Sequence, residues 1–560
     1  MRFVRISLFP FLFLPIRFPH RACAWKRPWR SPAIPFGSFR EGASILRKQN
    51  VRQKERYVEA FFDTFNNVLV AIDDFMWGVP LMVLILFGGI LLTVRLRGLQ
   101  FSKLPRALRY MIKNEKGEDA KGEVTSFGAL CTALSATIGT GNIVGVATAV
   151  VAGGPGAMFW MWVAALFGMA TKYSEGLLAV KFRTIDKDGH VLGGPFYYIE
   201  RGMGQRLPKI SWKWLAKIFA FFGMCVGLFG IGTFTQVNSI NSAITGFFDP
   251  TKSATVSILG MDYSIATVVG SLIVAIVVGL VVIGGLKRIA SVSEKVIPAM
   301  VVIYVALSII LIVCNAAAIP DAFVTIFESA FGLRAAAGGA LGAIIIAMQK
   351  GIARGIFSNE AGLGSAPIAA AAAQTKEPVR QGLVSMTGTF LDTIIVCSMT
   401  GLALVMTGAY QIPGLEGAAV TTAAFQAGLP FIPAEVVSFI LMVCLALFGF
   451  TTILGWDYYG ERCLEYLSGG SKKAVKTYRW LYILAVFIGP YMTVSAVWTI
   501  ADIFNACMAI PNMIALIVLS GVVVKETKDY FKRLDAAGGD EDNLTPRDTS
   551  GDWKAEEAAA

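Results

Sequence analysis

An apolar run from Phe127 to Val151 is long enough to cross a membrane, yet its centre is small, polar and rich in glycine. The stretch Leu134–Gly145 places threonine, glycine and asparagine side by side. Glycine weakens a helix interior, and hydroxyl and amide side chains compete for backbone hydrogen bonds. Because lipid tolerates non-helical backbone only inside the protein or around a cavity, we interpret the run as a membrane helix that breaks midway. The alternative is a seam of small residues at which two helices pack closely.

The composition is that of a polytopic membrane protein. Of the 560 residues, 55% are hydrophobic and 16% are charged, and the mean hydropathy is +0.61. Soluble domains carry about 25% charged residues. The net charge of +12 is concentrated in residues 1–50, where Glu41 is the only acidic residue, so it does not indicate binding of nucleic acid. The eight cysteines are dispersed without metal-ligand spacing, and neither histidine lies in an apolar run, so no zinc or haem site is predicted.

Successive apolar segments predict an all-α protein with about eleven transmembrane helices. The two longest segments are expected to be bent or broken. Basic residues recur in every second loop, whereas residues 408–432 contain no lysine or arginine. This alternation predicts an outside N-terminus and a cytoplasmic C-terminus. The segments lie near residues 77–96, 127–152, 156–182, 214–248, 264–285, 297–314, 338–373, 381–408, 433–459, 479–490 and 494–524.

The two ends of the chain differ from its apolar middle. Residues 1–56 are rich in Arg, Phe and Pro, and we expect a disordered extension, a targeting peptide or a start codon assigned too far upstream. Residues 57–530 form the predicted membrane domain. Residues 531–560 are expected to form a disordered cytoplasmic tail, because they are rich in Gly, Asp and Glu with few apolar side chains.

A second interrupted run spans residues 347–362, where charged residues and glycines break an apolar segment. Charges at membrane depth are costly and normally face a cavity or a partner. Arg354 and Glu360 do not share a helical face, so we expect a break between them; the alternative is that they mark the membrane interface. The two interrupted runs are the second and seventh segments. That spacing fits two five-helix units of opposite topology after one extra helix, a design found in secondary transporters.

Three further polar features lie in apolar runs. The hydroxyls of Thr451 and Thr452 could bind a small cation or could bond to their own helix. Gln236 could contact a zwitterionic solute or another helix. Lys172 and Glu175 are predicted to form a structural pair. No phosphate-binding loop or hydrolase motif occurs, so we do not predict an enzyme.

Several motifs together resemble the sodium:alanine symporter family, also called alanine or glycine:cation symporters, over roughly residues 68–524. They are Gly139–Asn142, Gly153–Gly156, Gly355–Ala366 and Leu454–Glu461. The resemblance implies a leucine-transporter-like fold with a five-plus-five inverted repeat and one additional N-terminal helix. It implies sodium-coupled import of small neutral amino acids, alanine and glycine, across the inner (plasma) membrane by alternating access. A proton-coupled symporter and a channel for small solutes remain the alternatives.

The resemblance also implies which residues bind the amino acid and the ion. Sodium is the only implied cofactor, and no protein partner is implied. The implied amino-acid contacts are the amides of Thr140 and Gly141 for the carboxylate, carbonyls from Gly351 to Phe357 for the ammonium, the side chains of Asn142 and Gln236, and Trp456 as the wall of the side-chain pocket. The implied sodium ligands are the carbonyls of Ser135 and Ile138 and the hydroxyls of Thr451 and Thr452.

Overall fold

The computed structural model describes residue 64 and residues 67–113, 122–186, 189–251, 253–258, 261–333, 339–492, 494–539 and 544. The chain divides into two compact units, residues 1–72 and residues 73–560. In the first unit, the described residues are helical. The predicted extension at residues 1–56 lies outside the described residues.

Helices make up most of the second unit. The longer ones are α1 Val79–Arg95, α2 Leu104–Ile112, α3 Ser126–Thr137, α4 Val146–Gly153, α5 Gly156–Lys181, α6 Lys213–Phe229, α7 Phe234–Phe248, α8 Ile265–Val282, α9 Gly285–Cys314, α10 Ile319–Ala330, α11 Ala340–Asn359, α12 Ala366–Ala371, α13 Pro378–Thr389, α14 Ser398–Thr407, α15 Ala418–Gly428, α16 Ala434–Leu467, α17 Lys472–Ile488 and α18 Val494–Ala536. Short helical turns are Leu99–Ser102, Pro195–Tyr197, Met203–Arg206, Ala316–Ala318, Ala409–Gln411 and Gly489–Tyr491, and π-helical turns are Gly141–Gly145, Tyr198–Gly202 and Phe390–Cys397. The antiparallel hairpins are β1 Thr184–Ile185 with β2 Val191–Leu192, and β3 Thr255–Ile258 with β4 Met261–Ser264.

The helices confirm a mostly helical membrane protein. Within the described part of the chain, 8 helices are long and apolar enough to span a membrane, and a bent pair of helices raises the number to 9. Helices α5 and α17 lie at two further positions where the sequence predicts a span. The full count of eleven and the inverted repeat stay predictions.

Helix α5 is the scaffold on which both interrupted runs pack. Its side chains from Met169 to Lys181 are buried, although α5 contains Lys172 and Glu175. Small residues let neighbouring backbones approach it closely, as is common between membrane helices. A Cβ added to Gly168 would lie 2.9 Å from the Ala361 Cβ, so α5 touches the chain at the end of α11.

The second interruption lies later in the chain than the sequence predicts. Helix α11 continues through Gly351 and Phe357 without a break, and Glu360 then adopts a left-handed conformation with φ 56°. Gly362 and Gly364 follow with positive φ, which glycine adopts without strain. The predicted break before Glu360 is therefore wrong. Gly351 serves a different purpose, because any side chain there would overlap the carbonyl of Ala157 in α5.

The final helix also runs past a predicted boundary. We expect disorder from residue 531, but α18 continues to Ala536. Tyr530 and Leu534 are fully buried, and Arg533 forms an ion pair of 2.8 Å with Glu377. These contacts stabilise the last turns of the helix, so this part of the predicted tail is ordered.

Candidate functional site

The first interruption lies inside Leu134–Gly145, as the sequence predicts. Helix α3 ends at Thr137, and Ile138 leaves the helical conformation with ψ 89°. The chain resumes helical structure in the π-helical turn Gly141–Gly145, and the two halves meet at a bend of 47°. All residues from Leu134 to Gly145 are buried. The break therefore lies in the protein interior.

The break leaves carbonyl groups without their helical donors. The Gly139 N–H donates to Asn142 Oδ1 at 2.9 Å, and the Thr140 N–H donates to Gln236 Oε1 at 3.2 Å. In a continuous helix the Gly139 N–H would bond to the carbonyl of Ser135. That carbonyl has lost this donor, so it is available to a ligand.

The same pattern recurs at Ile138. The Asn142 N–H would bond to the Ile138 carbonyl in a continuous helix, but it donates to the Gly139 carbonyl at 3.2 Å. Gly141 is the first residue of the restarted helical turn, where backbone N–H groups lack acceptors within the helix. The break thus presents both carbonyl acceptors and one amide donor inside the protein.

The two threonines of α16 face different neighbours. A Cβ on Gly139 would overlap Thr452 Oγ1, so the Thr452 hydroxyl lies directly against the break. It donates to the Phe448 carbonyl at 3.0 Å and keeps its lone pairs. The Thr451 hydroxyl lies 3.7 Å from the Met300 sulfur of α9. Thr452 therefore adjoins the break most directly.

A buried carboxylate, Asp392, links the two interruptions. Its Oδ1 accepts from Asn142 Nδ2 at 2.7 Å and from Ser358 Oγ at 3.0 Å, and its Oδ2 accepts from Thr393 Oγ1 at 2.7 Å. Both polar atoms of Asn142 form hydrogen bonds within the protein, and its predicted contact with the solute stays a prediction. Sequence reasoning missed Asp392, although an acid inside the apolar run 381–408 was a visible signal.

Buried polar side chains fix the second interruption. Glu175 of α5 accepts from the Gly362 N–H at 3.1 Å and from Asn512 Nδ2 at 2.7 Å. Ser365 donates to Glu360 at 2.7 Å, and Asn359 accepts from the Ala361 N–H at 2.9 Å. These hydrogen bonds hold the non-helical backbone of the second interruption in place.

Lys172 lies among the acids of both interruptions. Its ammonium acts electrostatically on Glu175, Glu360 and Asp392. It makes no hydrogen bond to any described residue. The predicted pair of Lys172 with Glu175 is thus part of a larger cluster of one cation and three acids.

The end of α11 faces the first interruption. A Cβ on Gly141 would lie 3.3 Å from Phe357 Cδ1, and the Phe357 ring lies 4.7 Å from the Trp498 ring. The last carbonyls of a helix lack helical donors. Here the next two N–H groups bond to Asn359 and Glu175 side chains, which leaves the Phe357 carbonyl open. Of the predicted carbonyls from Gly351 to Phe357, only this end is available.

Gln236 contacts the first interruption, and Trp456 lies beside the second. Trp456 is fully buried, and a Cβ on Gly232 would lie 2.6 Å from its Cβ. Its indole faces the Glu360 carboxylate beyond normal hydrogen-bond distance. Trp456 therefore lies beside the second interruption. Gln236 donates through Nε2 to the Ile231 carbonyl at 3.0 Å, in addition to accepting from Thr140.

An ion pair lies one helical turn from Phe357. Arg354 donates to both carboxylate oxygens of Asp502, at 3.2 and 2.7 Å, and its guanidinium lies 4.8 Å from the Trp498 ring. The pair joins α11 to α18.

A second charged cluster joins loops to the far end of α16. His190, between β1 and β2, lies 3.0 Å from Glu123 and 2.9 Å from Glu465, which also pairs with Arg462 at 2.6 Å. The hydrogen bonds to Glu123 and Glu465 raise the pKa of His190 to about 9. The cluster ties the segment before α3 to α16.

Comparison with known proteins now gives the family. The profile of the sodium:alanine symporter family matches residues 62–544. A transporter of Haemophilus influenzae is 55% identical, over 86% of this chain and 99% of its own length. The sodium/alanine symporter AgcS of Methanococcus maripaludis is 46% identical, over 83% and 97%. The crystal structure of MhsT with L-phenylalanine matches at a TM-score of 0.46 and 14% identity, over 78% and 96%. The chain belongs to the sodium:alanine symporter family, a family of membrane transporters rather than enzymes.

Proposed function

We propose that this protein imports small neutral amino acids, alanine and glycine, together with sodium. The observation that carries the proposal is the meeting of two helix interruptions inside the protein, with Gly141 of one against Phe357 of the other. Unpaired backbone groups at such breaks bind ions and zwitterions in secondary transporters. The named activity of the relative AgcS agrees with this chemistry.

Sodium binds, in this proposal, between the first interruption and α16. The carbonyls of Ser135 and Ile138 have lost their helical donors, and the Thr452 hydroxyl touches the same segment. Thr451 supplies a further hydroxyl after a rotation away from Met300. Unwound carbonyls and hydroxyl oxygens are suitable ligands for a small hard cation.

The amino-acid carboxylate binds at the Gly141 N–H and takes the place of Gln236 Oε1 at the Thr140 N–H. A helix that restarts at this point favours an anion at its N-terminus. The ammonium binds at the Phe357 carbonyl, at the negative end of α11. Because the Phe357 ring lies so close to Gly141, the proposed binding site suits an amino acid with a small side chain.

Alternating access exposes this site to each side of the membrane in turn. The Arg354–Asp502 pair closes the outer side, and the His190 cluster closes the cytoplasmic side. We assign the outside to the N-terminus and the cytoplasm to the C-terminus in the inner membrane, with five-helix units in inverted repeat. Both closures are formed and the site is buried, which is an occluded arrangement.

Uptake by reconstituted vesicles tests the proposal. We expect labelled alanine and glycine to accumulate inside vesicles when an inward sodium gradient is imposed at equal pH. Equilibration without accumulation would instead identify a channel. Accumulation driven by a proton gradient in sodium-free buffer would identify a proton-coupled symporter.

A further inference from the structure

Asp457 of α16 is a fully buried carboxylate that plays no part in the proposed binding of sodium or amino acid. Neither of its oxygens has a hydrogen-bond partner among the residues that the structure describes. Glu175, Glu360 and Asp392, the other fully buried acids in the described chain, each accept a hydrogen bond. Asp457 therefore differs from every acid that stabilises the interruptions.

A tyrosine hydroxyl next to Asp457 is also unpaired. Tyr478 Oη of α17 is buried without a partner in the described chain. A Cβ on Gly227 of α6 would lie 2.7 Å from this hydroxyl, and one on Gly460 would overlap it. Gly460 lies three residues after Asp457 and so shares its helical face. The hydroxyl thus occupies a slot between two glycines, one turn from the carboxylate.

The charged groups near Asp457 lead towards the end of α16. Those that act on it are Glu461, four residues along the same helix, and Arg479 of α17. Arg479 bonds to both Glu461 oxygens, at 2.6 and 2.9 Å, and its side chain is 26% exposed. Tyr478 and Tyr482 face Asp457 from α17. Water can reach the Arg479–Glu461 ion pair, because the Arg479 side chain is partly exposed, whereas Asp457 lies one helical turn further into the protein.

Tyr482 does not serve as a donor to Asp457. Its hydroxyl lies 2.7 Å from the Ile453 carbonyl and 2.9 Å from the Gly232 carbonyl, and it donates to these acceptors. Ile453 follows Thr452, so the contact connects the surroundings of Asp457 with the proposed sodium site. Asp457 acts electrostatically on Tyr482, so its charge acts on the side chain that bonds to the carbonyl next to Thr452.

An ionised carboxylate without donors in a protein interior is strongly disfavoured. A metal cation would need more oxygen ligands than one carboxylate and one phenol provide. A proton needs only the carboxylate. We propose that Asp457 is a proton-binding site, loaded in the occluded state and exchanging its proton with cytoplasmic water past Glu461 and Arg479.

The proton-binding site makes transport sensitive to pH on the cytoplasmic side. Protonation forms one O–H bond on the carboxylate at the expense of one O–H bond of hydronium, and release returns the proton to water. This coupling rests on the proposed transport of alanine, whereas protonation of Asp457 in the occluded state does not. The protonation of Asp457 and its coupling to transport are therefore tested in separate experiments.

Infrared spectroscopy of the reconstituted protein tests the protonation without any transport. We expect the C=O stretching band of a protonated carboxyl group at neutral pH to disappear in Asp457→Asn and to shift in Tyr478→Phe. The exposed acid Asp321 of α10 supplies the control, because Asp321→Asn should leave the band unchanged. A band that persists unchanged in Asp457→Asn and Tyr478→Phe overturns the proposal.

Vesicles with a trapped pH dye test the coupling. In the wild type we expect alanine uptake under a sodium gradient to move protons and to vary with internal pH, by at most about tenfold per pH unit for one proton. Asp457→Asn should keep sodium-driven uptake but lose both effects. If the wild type fails to take up alanine, the proposed function fails; if it takes up alanine with the same pH dependence as Asp457→Asn, the coupling fails.

Discussion

A methyl group added at Gly139 should disturb the proposed sodium site more than the same change elsewhere in the interruption. The Cβ of Gly139→Ala would overlap Thr452 Oγ1 and lie 3.3 Å from Gln236 Oε1. Gly145, in the same segment, has nothing within 4 Å of an added Cβ. Gly145→Ala is therefore a matched control in which the new methyl group displaces no ligand.

The expected magnitude follows from overpacking. Inserting a methyl group into a packed interior costs about 1–3 kcal/mol. If Thr452 must move away from the break to relieve the overlap, that cost falls on the sodium-bound state. The sodium concentration for half-maximal alanine uptake should then rise about 5- to 150-fold in Gly139→Ala. Gly145→Ala should change this sodium concentration little, because its methyl group meets no neighbour and because alanine favours a helix more than glycine does.

A second substitution distinguishes loss of a ligand from general misfolding. Thr452→Ala removes the hydroxyl that Gly139→Ala would strike, so the double variant should regain thermal stability. It should not regain sodium affinity, because the ligand is gone. Such non-additivity is the mark of residues in contact. Equal sodium dependence of Gly139→Ala and Gly145→Ala would refute this account of the site.

Three further perturbations act on other parts of the closed structure. Asp392→Ala should lower thermal stability and abolish uptake, because it removes the acceptor shared by both interruptions; a variant with normal uptake would exclude that role. Asp502→Asn should weaken the contact between α11 and α18, by less than the about 3–5 kcal/mol of a fully buried pair because the Arg354 side chain is 16% exposed, and should increase labelling of a cysteine introduced at Trp498; unchanged labelling would contradict it. His190, whose pKa is raised from 6.5 to about 9, should contribute stability below pH 6.5 that is lost as the pH rises through 9. Thermal unfolding between these pH values should therefore depend on pH in the wild type and much less in His190→Gln.

The first interruption could be predicted from sequence because its cause is local. Consecutive glycine, threonine and asparagine weaken the helix wherever it packs, and α3 does end at Thr137. The second interruption was misplaced because glycine has two uses that sequence cannot separate. Gly351 allows α5 to approach, whereas Gly362 supplies a positive φ. Only the packing of α5 distinguishes them.

The role of Asn142 could not be predicted, because it depends on a residue far away in the chain. Asp392 accepts a hydrogen bond from the Asn142 amide, and the same carboxylate oxygen accepts one from the Ser358 hydroxyl at the end of α11. An opening motion must therefore either carry both interruptions together or break this bridge. A neighbouring cation, Lys172, stabilises the negative charge of the bridge. Because a buried carboxylate that loses its donors is disfavoured, the bridge favours movement of the two interruptions as one body. That is the rigid rocking expected when a transporter turns one binding site from one side of the membrane to the other.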